Sequence, residues 1–223
     1  MKAKQLGTQI KTNMSGSVIK DDSIQELLRF GPLVLDEPLS KKEFYALAAR
    51  HPGLRMERAP NGKTTIMSPV NFGSGNRESL ANFFLTLWWF RNKTGETFSA
   101  STGIELPNGA IKSPDCGWIS PERLARVSAR EKENEFLKVM PDFIVEVRSK
   151  TDRLPKLRKK MENTWMKHGV RLAWLIDPFE EKAYIYRENG EVEVVEGFED
   201  KILSGEAVMP GMELPLGEFR IGK

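Results

Sequence analysis

The stretch that most restricts the fold is PDFIVEVRSKTDRLPKLRKKMENTWMKHGVRLAWLIDP, residues 141–178. DFIVEVR (142–148) and RLAWLID (171–177) have the apolar, β-branched composition of strands, and 153–168 between them has helical spacing. In the first strand alternate residues share a face. Phe143, Val145 and Val147 therefore point to one side, and Asp142, Ile144, Glu146 and Arg148 to the other. A charged row on a central strand is costly unless its members are paired or bind a cation. The competing reading is that Glu146 and Arg148 face water on the open side of a half-covered sheet.

The rest of the chain supplies further elements around this segment. LSKKEFYALAAR (39–50) reads as a short helix with Ser40 as its N-cap. LRMERAPNGKTTIMSP (54–69) reads as a hairpin turning at Asn61-Gly62. A helix is expected over about 75–91, with Leu80, Phe83, Phe84 and Leu87 as its buried stripe, and a shorter one over 121–135 with Pro121 in its first turn. TFSASTGIEL, SPDCGWIS and KAYIYR (182–187) add strands. Residues 1–22 are polar and rich in Lys, Ser, Thr and Gly, so a flexible extension over 1–38 is expected ahead of one domain at 39–223. The order of elements makes this an α/β protein (α+β) built on a mixed sheet.

Composition closes off several function classes. The apolar run FFLTLWWF (83–90) is too short to span a bilayer, so no membrane partner is expected. A single cysteine, Cys116, rules out an internal disulfide, and the basic N-terminal residues lack the apolar segment of a signal peptide; both favour a cytoplasmic protein. His51 and His168 are the only histidines, so a Cys/His zinc site is not expected and any metal would be held by carboxylates. The net charge of +3 permits a polyanionic partner without requiring one, and the basic residues concentrate in 153–171. That run also suits an ordinary solvated face.

Asp115 opens the SPDCGWIS strand, on the side opposite Cys116 and Trp118. If that strand lies beside DFIVEVR, Asp115 and Glu146 come within a few ångströms. Their mutual repulsion raises one pKa unless a divalent cation neutralises them. Two carboxylates plus waters suit Mg²⁺ or Mn²⁺, which acidify water and polarise a phosphodiester. The remaining requirement is a cation for the developing charge. In the following helix Lys160 lies about 60° from Leu157 on the apolar stripe and can reach the sheet, while Lys156 and Lys159 lie further out, toward solvent or a phosphate backbone. Arg148 is the rival source of positive charge, but it cannot act as a base.

At these residues the sequence resembles the bacterial Uma-two family of restriction-endonuclease-like proteins, within the PD-(D/E)XK nuclease superfamily. The resemblance is carried by SPD (113–115), PDFIVEVRSKTDRLPKLRKKM (141–161) and GVRLAWLIDP (169–178). RMERAPNGKTTIMSP, GNRES, STGIELPNGAIKSPD, AYIYR and LSGEAVMPGMEL support it, from about Leu39 to the end. It implies a restriction-endonuclease-like core, a mixed sheet with flanking helices, and metal-dependent cleavage of DNA. Asp115 and Glu146 match the motif's acids. Arg148 stands where the superfamily has lysine, and the family's helix lysine corresponds to Lys160; the stretch from Lys160 to Gly169 is one residue longer than the family pattern, which keeps Lys159 in play.

For a third acid, Glu78 would lie about 170° from the expected apolar stripe of its helix, so Glu57 in the hairpin is the better, though weaker, ligand. A solvent-facing hairpin residue is its bland alternative. Asp142 is too far along the strand to share Glu146's ion and reads as a strand-end hydrogen-bond acceptor, and Asp152 as a helix cap. The five tryptophans (88, 89, 118, 165 and 174) read as core. The sequence thus points to a Mg²⁺- or Mn²⁺-dependent endonuclease acting on DNA, with Asp115, Glu146 and Lys160 as its centre and Lys156, Lys159 and Arg148 on the DNA. Homodimers are expected from the resemblance. The alternative is a decayed nuclease fold that binds nucleic acid or a protein.

Overall fold

The computed structural model describes residues 9–10, 28 and 31–222. Most of the expected extension over 1–38 lies outside those residues. The chain separates into two compact units, Met1–Val70 with Pro107–Lys112, and Asn71–Leu106 with Ser113–Lys223.

In the first unit β1 (Gln9–Ile10) runs parallel to β2 (Leu33–Leu35), which pairs with β4 (Thr64–Ile66); β4 pairs with β3 (Met56–Arg58), and β3 with β7 (Ile111–Lys112). Helix α1 (Lys41–Arg50) begins where its cap dictates: Ser40 accepts from the Glu43 N–H, and Glu43 in turn accepts from the Ser40 N–H. The β3–β4 hairpin turns at Gly62, whose φ of 89° a side-chain-bearing residue rarely adopts. The buried Arg58 guanidinium donates to the carbonyls of Leu39 and Gly109, stitching three segments of this unit together.

The second unit holds a sheet of order β12-β11-β10-β9-β8-β5. Its strands are β5 (Glu96–Ser99), β8 (Cys116–Ile119), β9 (Phe143–Val147), β10 (Leu172–Asp177), β11 (Lys182–Arg187) and β12 (Val192–Glu196). Only β9 and β10 are parallel; the other neighbours are antiparallel, which makes the expected mixed sheet. The connection between β9 and β10 is helical, through α5 (Leu154–Lys160), a π-helical turn (Met161–Trp165) and a 3₁₀ turn (Met166–His168). The short β6 (Ile104–Glu105) and the hairpin of β13 (Ile202–Ser204) with β14 (Glu213–Pro215) complete the strands. Residues β12 to β14 were not expected from sequence: Val192–Glu196 is an edge strand with mostly exposed side chains, so it carries no burial pattern.

Every residue of β9 is buried, and so is every residue of β10. The half-covered sheet is therefore wrong. On one face Phe143, Val145 and Val147 pack into a cluster with Trp174, Trp118 and Cys116, and helix α2 (Phe72–Asn92) adds Ala81, Leu85 and Trp88. Ile144 and Glu146 on the other face are also shielded from water. Four of the five tryptophans, at 88, 118, 165 and 174, are buried, as a core reading requires.

Two helices differ from expectation. The fully buried side of α2 is Ser74, Ala81, Leu85 and Trp88; Leu80 and Phe84 of the expected stripe pack half-buried against the same cluster, while Phe83 is 54% exposed. Apolar residues occur on every side of this helix, so periodicity alone selects no single face. The stretch 121–135 is two helices, α3 (Pro121–Leu124) and α4 (Ala129–Asn134), because Ser128 caps a fresh start with Glu131. Among the described residues no helix is long and apolar enough to cross a membrane.

Candidate active site

β8 lies antiparallel to β9 with Cys116 opposite Val145. Asp115, one residue before β8, is tied to β9 on either side of Glu146: its N–H donates to the Val145 carbonyl (3.1 Å), and its Oδ2 accepts from the Val147 N–H (2.7 Å). The two acids are thus neighbours across the strand pair, and both are buried, at 8% and 5% exposure.

Glu146 Oε1 takes two donors from the helical connection. Trp165 Nε1 donates to it at 2.8 Å, and the Lys160 ammonium lies 2.6 Å away. The π turn explains how both reach one oxygen. In a regular α-helix residues five apart are rotated by about 140°, whereas i→i+5 geometry returns them to the same side. The π turn leaves Lys160 on the carboxylate and Lys159 exposed. Lys156 is exposed as well.

Burial, opposed by the Lys160 ammonium and the Trp165 N–H and aided by the Asp115 carboxylate, leaves the Glu146 pKa raised to about 7. Burial also raises the Cys116 thiol well above its ordinary value, assisted by Asp115, Glu146 and Glu78.

Glu78 is therefore within electrostatic reach of the same sulfur as the two strand acids. It sits one turn after Ser74 and one before Ala81, in line with Leu85, so it is on the buried side of α2. The expected stripe is centred too far toward Phe83; the buried side runs through Ala81 and Leu85, which turns Glu78 toward the sheet side. Even so, among the described residues no three of His, Cys, Asp or Glu are gathered closely enough to hold a metal ion.

Other expected residues are placed elsewhere. Arg148 Nη1 bonds the buried Asp177 Oδ2 at 2.6 Å and Glu180 at 3.3 Å. Glu57 is in the first unit, paired with Lys112 at 2.8 Å. Asp142 is a strand-end acceptor, receiving the Ser120 N–H at 2.7 Å and the Arg123 guanidinium at 3.2 Å. Asp152 does not cap α5, whose N-cap Arg153 makes no side-chain cap bond; its carboxylate closes a turn by accepting from the Ser149 N–H and Oγ.

A pair of hard oxygen donors fits Mg²⁺ or Mn²⁺, which commonly bind through one or two carboxylates and retain waters. Asp115 and Glu146 would be the residues that hold it.

Comparison with known proteins agrees with this architecture. A crystal structure described as "a putative nuclease belonging to DUF820 from Anabaena variabilis" superposes with a TM-score of 0.64, covering 82% of this chain and 97% of that one at 22% identity. At that identity the likeness concerns the fold, a restriction-endonuclease-like core. No curated protein matches. The model of the Uma2 family, described as "Putative restriction endonuclease", matches residues 42–217, well over half the chain, and the protein therefore belongs to the Uma2 family.

Proposed function

We propose that the protein is a divalent-cation-dependent endonuclease that hydrolyses DNA phosphodiesters, with Asp115, Glu146 and Lys160 as its catalytic centre. The observation that carries this reading is the buried juxtaposition of Asp115 and Glu146, with Lys160 and Trp165 on a single oxygen of Glu146. A fold has little reason to bury two adjacent acids under one lysine for stability alone, because uncompensated buried charge is expensive. A bound Mg²⁺ or Mn²⁺ would supply Lewis-acid polarisation of the phosphodiester and acidify an attacking water.

The chain's own groups do the rest. Asp115 is held rigid by backbone bonds on both sides of Glu146. Glu146 takes up a proton near neutrality when no cation is present, so cation binding displaces that proton. Lys160 brings a positive charge to the carboxylate pair, where it stabilises negative charge developing on the phosphoryl group. The exposed Lys156 and Lys159 extend a basic surface for the backbone of the substrate. Cutting both strands of a duplex would take two copies of the chain, which is the role we assign to a homodimer.

A second reading has its own support. With only two acids gathered among the described residues, the fold also suits a module that binds nucleic acid or a protein without cutting. Plasmid nicking with Mg²⁺ or Mn²⁺ separates the two. Wild type is expected to nick, and Asp115→Ala and Glu146→Ala, each folded by circular dichroism, are expected not to. An inactive wild type, or variants that cut equally well, would favour the binding module.

A further inference from the structure

Arg77 is a cation without an anion among the described residues. It lies in α2, and a β-carbon built at Gly73 would be 3.5 Å from both of its Nη atoms, so the guanidinium lies against the first turn of that helix. No acidic residue occupies that turn, and a positive charge there opposes the helix dipole. Among the described residues Arg77 forms no ion pair or hydrogen bond, and its Nε is buried without a partner. Its guanidinium faces the Phe179 ring, whose centroid is 5.7 Å away.

Phe179 is held firmly. Its N–H donates to the wholly buried Asp177, the Glu180 N–H does the same, and Arg148 bonds the other oxygen of Asp177 while also lying 5.6 Å from the Phe179 centroid. Arg148 is thus committed to Asp177 and serves as an anchor. An aromatic ring holds a guanidinium in place without neutralising it, which leaves Arg77's forked donors to another group. That fork matches the paired oxygens of a phosphodiester.

The position suits a nuclease. Arg148 directly follows β9, two residues after Glu146, and Arg77 directly precedes Glu78, whose charge acts on Cys116 together with those of Asp115 and Glu146. We propose that Arg77, seated on Phe179, binds one backbone phosphate of the nucleic-acid substrate, an inference that rests on the nuclease reading above. Arg77 and Arg148 together only balance Asp177 and Glu180. Recognition here comes from the fork's geometry and amounts to a single contact.

The test uses the full chain and a fluorescent DNA duplex, with Ca²⁺ replacing Mg²⁺ and salt varied. Arg77→Met keeps an apolar stem on the ring and removes the charge. It should weaken binding several-fold and reduce the slope of log K against log[salt] by about 1, with an unchanged or higher Tm. Arg77→Lys should restore the slope but not the full affinity. An unchanged slope and affinity in Arg77→Met while wild type binds would overturn the phosphate contact, and so would a Tm lowered by several degrees, which marks a structural residue. A wild type that binds no DNA would sink the nuclease reading, and this inference with it.

Discussion

The two ends of β9 carry the same chemistry to different ends. Asp142 just before the strand and Glu146 near its finish are buried acids four residues apart. Asp142 is surrounded by donors: the Ser120 amide, Arg123, and Arg171 at 3.7 Å. Arg123 also donates to the carbonyls of Met140, Pro141 and Gly169, so this end is a brace. Glu146 has one ammonium, one indole N–H and a second carboxylate beside it, and burial outweighs the help it receives. A buried acid with a full complement of donors holds a fold together; one placed against another acid keeps an unfavourable charge that a proton or a cation would relieve.

The largest expected contrast comes from breaking each end in turn. Glu146→Gln should cut cleavage by roughly 10²–10³-fold or more, the scale of losing one charge-stabilising group, while leaving metal-free stability unchanged or higher. Asp142→Ala should do the reverse, costing about 3 kcal/mol in urea unfolding because it leaves Arg123 uncompensated, with cleavage by the folded fraction retained. Equal stability losses at both ends would erase the distinction between brace and site.

Trp165→Phe sharpens the contrast within the site. It preserves most of the buried volume and removes the N–H on Glu146 Oε1. Mn²⁺ affinity by calorimetry and cleavage should both fall by about 10- to 100-fold, as for other residues that orient a ligand.

A smaller effect is expected from pH. The Glu146 pKa is raised from 4.5 to about 7, so the fold favours its protonated form. Its contribution to stability is complete below about 4.5 and is lost as pH rises through about 7. Metal-free wild type should therefore lose stability between pH 5 and 8 relative to Glu146→Gln, by at most a few kcal/mol. A parallel pH dependence in the two proteins would contradict this. Smallest of all, Glu57→Gln should change stability by no more than about 1 kcal/mol and leave cleavage intact; a large loss of cleavage would restore Glu57 as a ligand.

Much of the architecture was legible without coordinates because its signals are local. Ser40 followed by Glu43 closes a capping box within one turn, Asn61-Gly62 closes a hairpin, and the alternation in β9 sorts its side chains. The Lys160 position is legible for the same reason, since one helical face follows from a few residues of spacing. Asp152 misled because a carboxylate just before a helix can bond backward into a turn as readily as forward into the helix. Arg148 is not legible in the same way, because its partners, Asp177 and Glu180, come from the end of β10 and the turn after it.

The sequence by itself determined the run of β9, α5, β10 and β11, the acid within β9 and the one just before β8, and the basic helix that follows β9, because period, caps and turns act over a few residues. Only the tertiary structure decided which side of α2 is buried, that both faces of β9 are covered, and that a π turn brings Lys160 and Trp165 to one oxygen. Those outcomes depend on what packs against each element. An apolar helix has several faces it could bury, and the neighbouring sheet selects one.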